Sequence, residues 1–97
     1  MEDRHVQLFK ALSDITRQEI LRMLLGHEMN VSEICRLFEN ISQPTVSHHL
    51  QILRHCGLVD IRKEGRVIYY MIQRDFFCDS CQEFFGRFNI RIELKKE

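Results

Sequence analysis

The segment from Ser42 to Gly57 constrains the fold of this 97-residue chain more than any other stretch. Ser42 is a helix-capping residue type, and Pro44, the single proline, falls inside a first helical turn, where a missing amide donor costs nothing. Val46, Leu50 and Leu53 recur at spacings of four and three and define one apolar face. At about 100° per residue, Pro44, His48, Gln51 and His55 take the opposite direction, and Gly57 supplies a stop. The segment reads as a helix with a packed rear and a hydrogen-bonding front, which places it at the surface of a domain.

Upstream, Asn30 and Glu33 have the spacing of a capping box, and Ile34, Leu37 and Phe38 give a short third helix one buried face. Between that helix and the next, Asn40 is the residue best able to take the left-handed conformation of a tight interhelical turn. Val6, Phe9 and Leu12, with Leu8 beside them, predict a first helix over about residues 4–11. Asp14 caps a second, whose Ile15, Ile20, Leu21, Leu24 and Leu25 are expected to face a core before Gly26 ends it. Downstream, residues 58–63 and 66–72 are β-rich runs joined by Glu64-Gly65 as a two-residue hairpin turn. After Asp75 a last helix carries five of the seven phenylalanines, and positions 77, 81, 84 and 88 form a seam along it. So much aromatic surface exceeds what a small three-helix core covers. A second copy of the chain is therefore expected across it, with Phe9, Phe77, Cys81, Phe84 and Phe88 at the contact. The tail, residues 89–97, is charged and expected to fray.

Helix, turn, polar-faced helix and basic hairpin together predict a winged helix-turn-helix, mainly α with a β-hairpin wing, as one domain over residues 1–97. Residues 31–56 form the helix-turn-helix, 58–72 the wing, and 1–12 with 75–90 the dimerisation helices. With 44% hydrophobic and 29% charged residues the composition is that of a globular domain. No apolar run approaches the ~20 residues needed to span a bilayer, and Met1-Glu2-Asp3-Arg4 has no signal-peptide character, so a cytoplasmic location without a membrane partner is expected. Net charge is zero, so an electrostatic case for nucleic acid rests on local distribution. Residues 41–74 provide it, with Arg54, Arg62, Lys63, Arg66 and Arg74 against Asp60 and Glu64, and His48, His49 and His55 besides. Of the four cysteines only Cys78 and Cys81 are closely spaced, so reduced thiols are expected rather than a disulfide framework.

A helix of this diameter fits the major groove of double-stranded DNA when small hydrogen-bonding residues open it, cations lie at its far end and on the wing, and an apolar rear fixes its angle. All three are present. The strings Leu12-Ser13-Asp14-Ile15-Thr16-Arg17, Ser42-Gln43-Pro44-Thr45-Val46-Ser47-His48-His49-Leu50, Leu53-Arg54-His55-Cys56-Gly57-Leu58-Val59 and Glu64-Gly65-Arg66-Val67-Ile68-Tyr69-Tyr70 resemble the ArsR/SmtB family of metal- or stress-responsive repressors. The likeness runs over about residues 5–88, with Ile15 standing where the family often has proline. It implies a homodimeric repressor that needs no cofactor and leaves its operator when an inducer binds. Carried over residue by residue, the DNA-contacting positions fall on Gln43, Thr45, Ser47 and His48, with Arg54 nearby and Lys63 and Arg66 on the wing. Ser42 is expected to cap, and His49, on the flank of the inward face, to be a satisfied structural histidine.

The family's Cys-x-Cys metal site is absent, since Asn30, Val31 and Ser32 occupy the aligned positions, and the last helix has no histidine for the other family site. What remains is Cys78-Asp79-Ser80-Cys81, two thiols at i, i+3 on a helix expected to meet its dimer mate. They are candidate ligands for Zn(II), Cd(II) or As(III), or a redox pair, against the alternative of simple packing. A catalytic Cys-x-x-Cys would sit at a strand-to-helix junction, so an enzyme is not indicated. The competing reading is a winged-helix protein-interaction module without DNA binding, its cysteines structural.

Overall fold

The computed structural model describes residues 2–94. Residues 95–97, the outer end of the tail expected to fray, lie outside the described residues. The elements run α1 (Arg4–Leu12), α2 (Ile15–Met23), β1 (Met29–Asn30), α3 (Val31–Cys35), α4 (Gln43–His55), β2 (Val59–Glu64), β3 (Val67–Ile72) and α5 (Arg74–Gly86). This is the winged helix-turn-helix expected from the sequence, with one added strand.

Local capping chemistry sets most boundaries. Asp14 accepts from the Arg17 amide at 3.0 Å and opens α2. Asn30 and Glu33 form the reciprocal capping box that opens α3. Gly57, at φ +96°, ends α4, with Leu58 N–H donating to the Leu53 carbonyl and Gly57 N–H to that of Arg54, the paired bonds of a Schellman motif. Asn89, at φ +57°, ends the last helical turns of α5 in the same way, through Ile90 N–H to Phe85 and Asn89 N–H to Gly86. Asn40 does not take the left-handed conformation: among the described non-glycine residues only Asn89 does. Residues 36–42 separate α3 from α4, and bends at Glu39 and Asn40 reverse the chain without it.

The core gathers Leu8 of α1, Ile20 of α2 with its C-cap Leu24, Ile34 of α3, Val46, Leu50 and Leu53 of α4, and Leu58, Val59 and Tyr70 from the sheet side. Each fully buried aliphatic side chain of this size contributes about 1.5–3 kcal/mol of hydrophobic driving force. Several apolar positions expected inside lie outside. Ile15 is 74% and Leu37 58% exposed, and Val6 and Leu25 are exposed as well. In α1 the buried stripe is His5, Leu8 and Ala11 rather than Val6, Phe9 and Leu12; the two stripes share a spacing, and the buried one begins on a histidine that reads as polar.

The sheet has the order β1-β3-β2, all antiparallel. Register pairs Glu64 with Val67, so the hairpin turn is Gly65-Arg66, one residue later than Glu64-Gly65. Gly65 has φ +61° and Arg66 is not among the positive-φ residues, the pattern of a II′ turn. Arg66 thus stands at the wing tip instead of opening a strand. β1 pairs Met29 with Tyr70 and Asn30 with Tyr69, tying the start of the helix-turn-helix to the wing.

On α5, Phe76 and Phe77 pack against the core. Phe84 turns back onto α1, its ring centroid 4.6 Å from that of Phe9 and 5.8 Å from that of His5. The expected seam is therefore partly covered within one chain. Phe88 lies just past the end of α5 and is 61% exposed.

Candidate nucleic-acid interface

α4 is opened by Ser42, whose Oγ accepts from the Thr45 amide at 3.4 Å and lies 2.9 Å from the Thr45 hydroxyl. Ser42 caps, as expected. Thr45 is exposed, but its hydroxyl is engaged with the cap. Val46, Leu50 and Leu53 are fully buried and fix the roll of the helix. With that roll set, Gln43, Arg54 and Ser47 fall within about 40° of one another, and the arc continues through Gln51 and His55 to His48. Gln43, Gln51, His48, Arg54 and His55 are exposed and Ser47 is half-buried. Thr45 lies about 60° beyond His48, so Gln43 and Thr45 stand at the two edges of one arc that also holds Ser47, His48 and Arg54. The amino-terminal end of such a helix carries partial positive charge, which suits phosphate.

On the wing, Lys63 and Arg66 are exposed, and no ion pair among the described residues involves them. Arg62 is held differently. Its Nη1 donates to Glu64 at 2.9 Å and its Nε to Glu28 at 3.0 Å, while the guanidinium lies 4.7 Å from the centroid of Tyr69. The hydrogen bond from Arg62 holds the Glu28 carboxyl below its ordinary range, and Glu28 first, then Glu64, raises the Arg62 guanidinium above its own. Arg62 fastens the wing to the loop before β1, and Lys63 and Arg66 are the wing cations without an ion-pair partner among the described residues.

Beside the outward face of α4 an open cleft of about 940 Å³ is lined by Lys10, Arg17, His48, Gln51, Arg54 and His55 among others. Sequence reading missed Arg17. Its guanidinium lies 3.2 Å from Nδ1 of His49, a residue 32 positions along the chain, and no periodic signal reports such a pairing. His49 is half-buried and held by this contact, in keeping with a structural role.

No disulfide joins the four cysteines. Cys35 packs against the core on α3. The Cys56 thiol lies 3.3 Å from the Leu53 carbonyl and donates to it, and burial pushes its pKa up. Cys78 and Cys81 are half-buried on α5, and Cys81 is pushed up by burial and then by its neighbour Cys78. Cys78 also borders an apolar hollow of about 490 Å³ with Leu12, Leu21, Ile72 and Phe77. Among the described residues no group of three or more His, Cys, Asp and Glu side chains is placed to hold a metal ion. Near the carboxyl end of α5, His5 is 2% exposed and neither ring nitrogen has a hydrogen-bond partner among the described residues; Glu83 Oε1 is 3.6 Å and Asp3 Oδ1 3.8 Å away.

No helix among the described residues is long and apolar enough to cross a membrane. Residues 14–60 match the sequence profile of the bacterial regulatory proteins of the arsR family. The transcriptional repressor SdpR of Bacillus subtilis (strain 168) is 41% identical over 73 residues, covering 75% of this chain and 80% of that one. The arsenical resistance operon repressor of Escherichia coli (strain K12) is 42% identical over 69 residues, covering 69% of this chain and 57% of that one. Among solved structures, an ArsR-like transcriptional regulator from Rhodococcus sp. RHA1 superposes with a TM-score of 0.76 at 30% identity, covering 89% of this chain and 79% of that one. A polar-faced helix seated on a buried rear, a basic wing beside it, and sequence shared over most of a relative's length lead to one conclusion: the chain belongs to the arsR family and is a DNA-binding transcriptional regulator.

Proposed function

We propose that the chain acts in the cytoplasm as a homodimeric repressor that reads double-stranded operator DNA with α4, and that a thiophilic ion taken up by Cys78 and Cys81 releases it. One observation carries the DNA-reading half: the polar arc of α4 holding Gln43, Ser47, His48 and Arg54 lies on the same chain as wing cations that no carboxylate among the described residues neutralises. Gln43, Ser47 and His48 contact bases, Thr45 contacts the backbone from the edge of the arc, and Arg54, Lys63 and Arg66 contact phosphates. The second copy packs on the aromatic and thiol-bearing side of α5, with Phe9, Phe77, Phe84 and Phe88 in and around that contact.

Zn(II), Cd(II) or As(III) is the inducer class that two thiols at i, i+3 suit, and a relative is named for arsenical resistance. Burial and the neighbouring Cys78 push the Cys81 thiol up, so uptake of an ion, which must displace that proton, is expected to strengthen as pH rises. One pair is incomplete, and the second subunit's pair supplies the remaining ligands.

Combined Ser47→Ala and His48→Ala substitution tests the reading. A good base contact contributes about 1–3 kcal/mol, so affinity for a duplex enriched from a random-sequence pool by the wild-type protein should fall at least about tenfold. Sedimentation should still find a folded dimer. Unchanged anisotropy titrations at fixed salt would remove α4 from the interface.

A further inference from the structure

α1 and α4 are joined through a side chain that belongs to neither. Arg17, in the first turn of α2, donates from Nε to the Ala11 carbonyl at 2.7 Å and from Nη2 to the Lys10 carbonyl at 3.2 Å. Those carbonyls are among the last four of α1, whose helical ladder has run out; that of Lys10 also accepts from the Ser13 amide at 3.2 Å and the Ser13 hydroxyl at 2.6 Å, whereas Ala11 has Arg17 as its donor. Gln18 takes the next one, Leu12, at 2.6 Å. The remaining guanidinium nitrogen, Nη1, lies 3.2 Å from Nδ1 of His49 on α4. Asp14 holds the base of the arrangement by accepting from the Arg17 amide at 3.0 Å.

A guanidinium is donor-only. Nδ1 of His49 must therefore present its lone pair, which makes the ring neutral with its proton on Nε2. All three guanidinium nitrogens face acceptors of the protein, so Arg17 is directed inward although it borders the cleft beside the outward face of α4. His49 adjoins Ser47 and His48, and the His48 and His49 ring centroids are 6.1 Å apart. The buried Val46, Leu50 and Leu53 set the roll of α4, and a bond that holds His49 steadies the flank next to His48 on the face proposed to meet DNA. The same bonds reach α1, whose Phe9 packs on Phe84 of α5.

We propose that Arg17 is a positioning residue for operator binding: it clips the carboxyl end of α1 to His49 of α4, holds that imidazole as the neutral Nε2–H tautomer, and so couples the α1/α5 layer to the recognition face. The coupling to DNA rests on the function proposed above, while the tautomer does not.

Five chains decide it: wild type, Arg17→Lys, Arg17→Gln, His49→Leu and His49→Asn. Lysine keeps the charge but cannot span three acceptors on two helices, and asparagine keeps an acceptor near the place of Nδ1. Long-range proton–nitrogen NMR of the free wild-type protein should show His49 neutral with Nε2 protonated, a signature lost in Arg17→Lys. Against the pool-enriched duplex, Arg17→Lys and His49→Leu should each lower affinity about tenfold, and His49→Asn should stay near wild type. The salt slope of Arg17→Gln should be unchanged. Wild-type affinity in Arg17→Lys, or a slope reduced by about one in Arg17→Gln as for a lost phosphate contact, would overturn the clip. So would an Nδ1-protonated or cationic His49, a result that stands even if the arginine variants fail to fold. If no duplex can be enriched, the regulator reading fails separately, and the NMR result still judges the clip.

Discussion

At Gly57 two demands fall on one residue. Its φ of +96° lies in the left-handed region, and a Cβ there would stand 2.8 Å from Cζ of Phe76. Gly26, at φ +82°, meets nothing within 4 Å. Backbone strain of this kind costs about 1–3 kcal/mol. Gly57→Ala should therefore lower the free energy of urea unfolding by more than Gly26→Ala does, and the difference measures the Phe76 contact. Equal effects would mean that Phe76 yields freely. Asp14 carries another residue-scale prediction. The Arg17 amide and, secondarily, the Arg17 charge hold its carboxyl below the ordinary 3.8. A depressed carboxyl stabilises the fold fully above its unfolded pKa, and that contribution disappears as pH falls through the folded value. Asp14→Ala should cost about 1 kcal/mol as a lost cap near neutral pH. The gap to wild type should close in acid below the 3.8 of the unfolded chain; a gap independent of pH would show that the carboxylate form is not what caps α2.

Among elements, the wing separates two kinds of cation. Lys63 and Arg66 are available to phosphates, whereas Arg62 is held by Glu28 and Glu64. Removal of a phosphate contact reduces the salt slope of binding by about 0.9. Lys63→Ala and Arg66→Ala should each show that change, and Arg62→Ala a smaller one with a less stable wing; equal slopes for all three would contradict the division. Several elements were legible from a few residues: the Ser42 cap, the Asn30–Glu33 box and the stop at Gly57 depend on chemistry within four residues. β1 was not, because two residues are too short to show a period of two, and its partner Tyr70 is 41 positions away from Met29. The hairpin turn slipped by one because Glu64-Gly65 and Gly65-Arg66 both place a glycine in the loop, and only the pairing of Glu64 with Val67 chooses between them.

For the whole molecule, the proposed release mechanism requires that two subunits meet near Cys78 and Cys81 and that an ion change the angle between them. Allosteric coupling of this kind is about 1–3 kcal/mol, or roughly 5- to 150-fold in affinity. Combined Cys78→Ser and Cys81→Ser substitution should abolish release of the operator duplex by Cd(II) or arsenite while leaving ion-free binding intact. Full release from the double variant would assign both thiols to packing.

The sequence by itself determined the helices, the wing and the polar face of α4, because capping, periodicity and turn chemistry act between residues a few positions apart. Residue strings also sufficed for the family resemblance. Tertiary structure decided the roll of α1 onto His5, Leu8 and Ala11, the return of Phe84 onto Phe9, the neutralisation of Arg62, and the clip from Arg17 to His49. Each of these joins side chains distant in the chain, and such pairings depend on how elements pack, which local sequence does not encode.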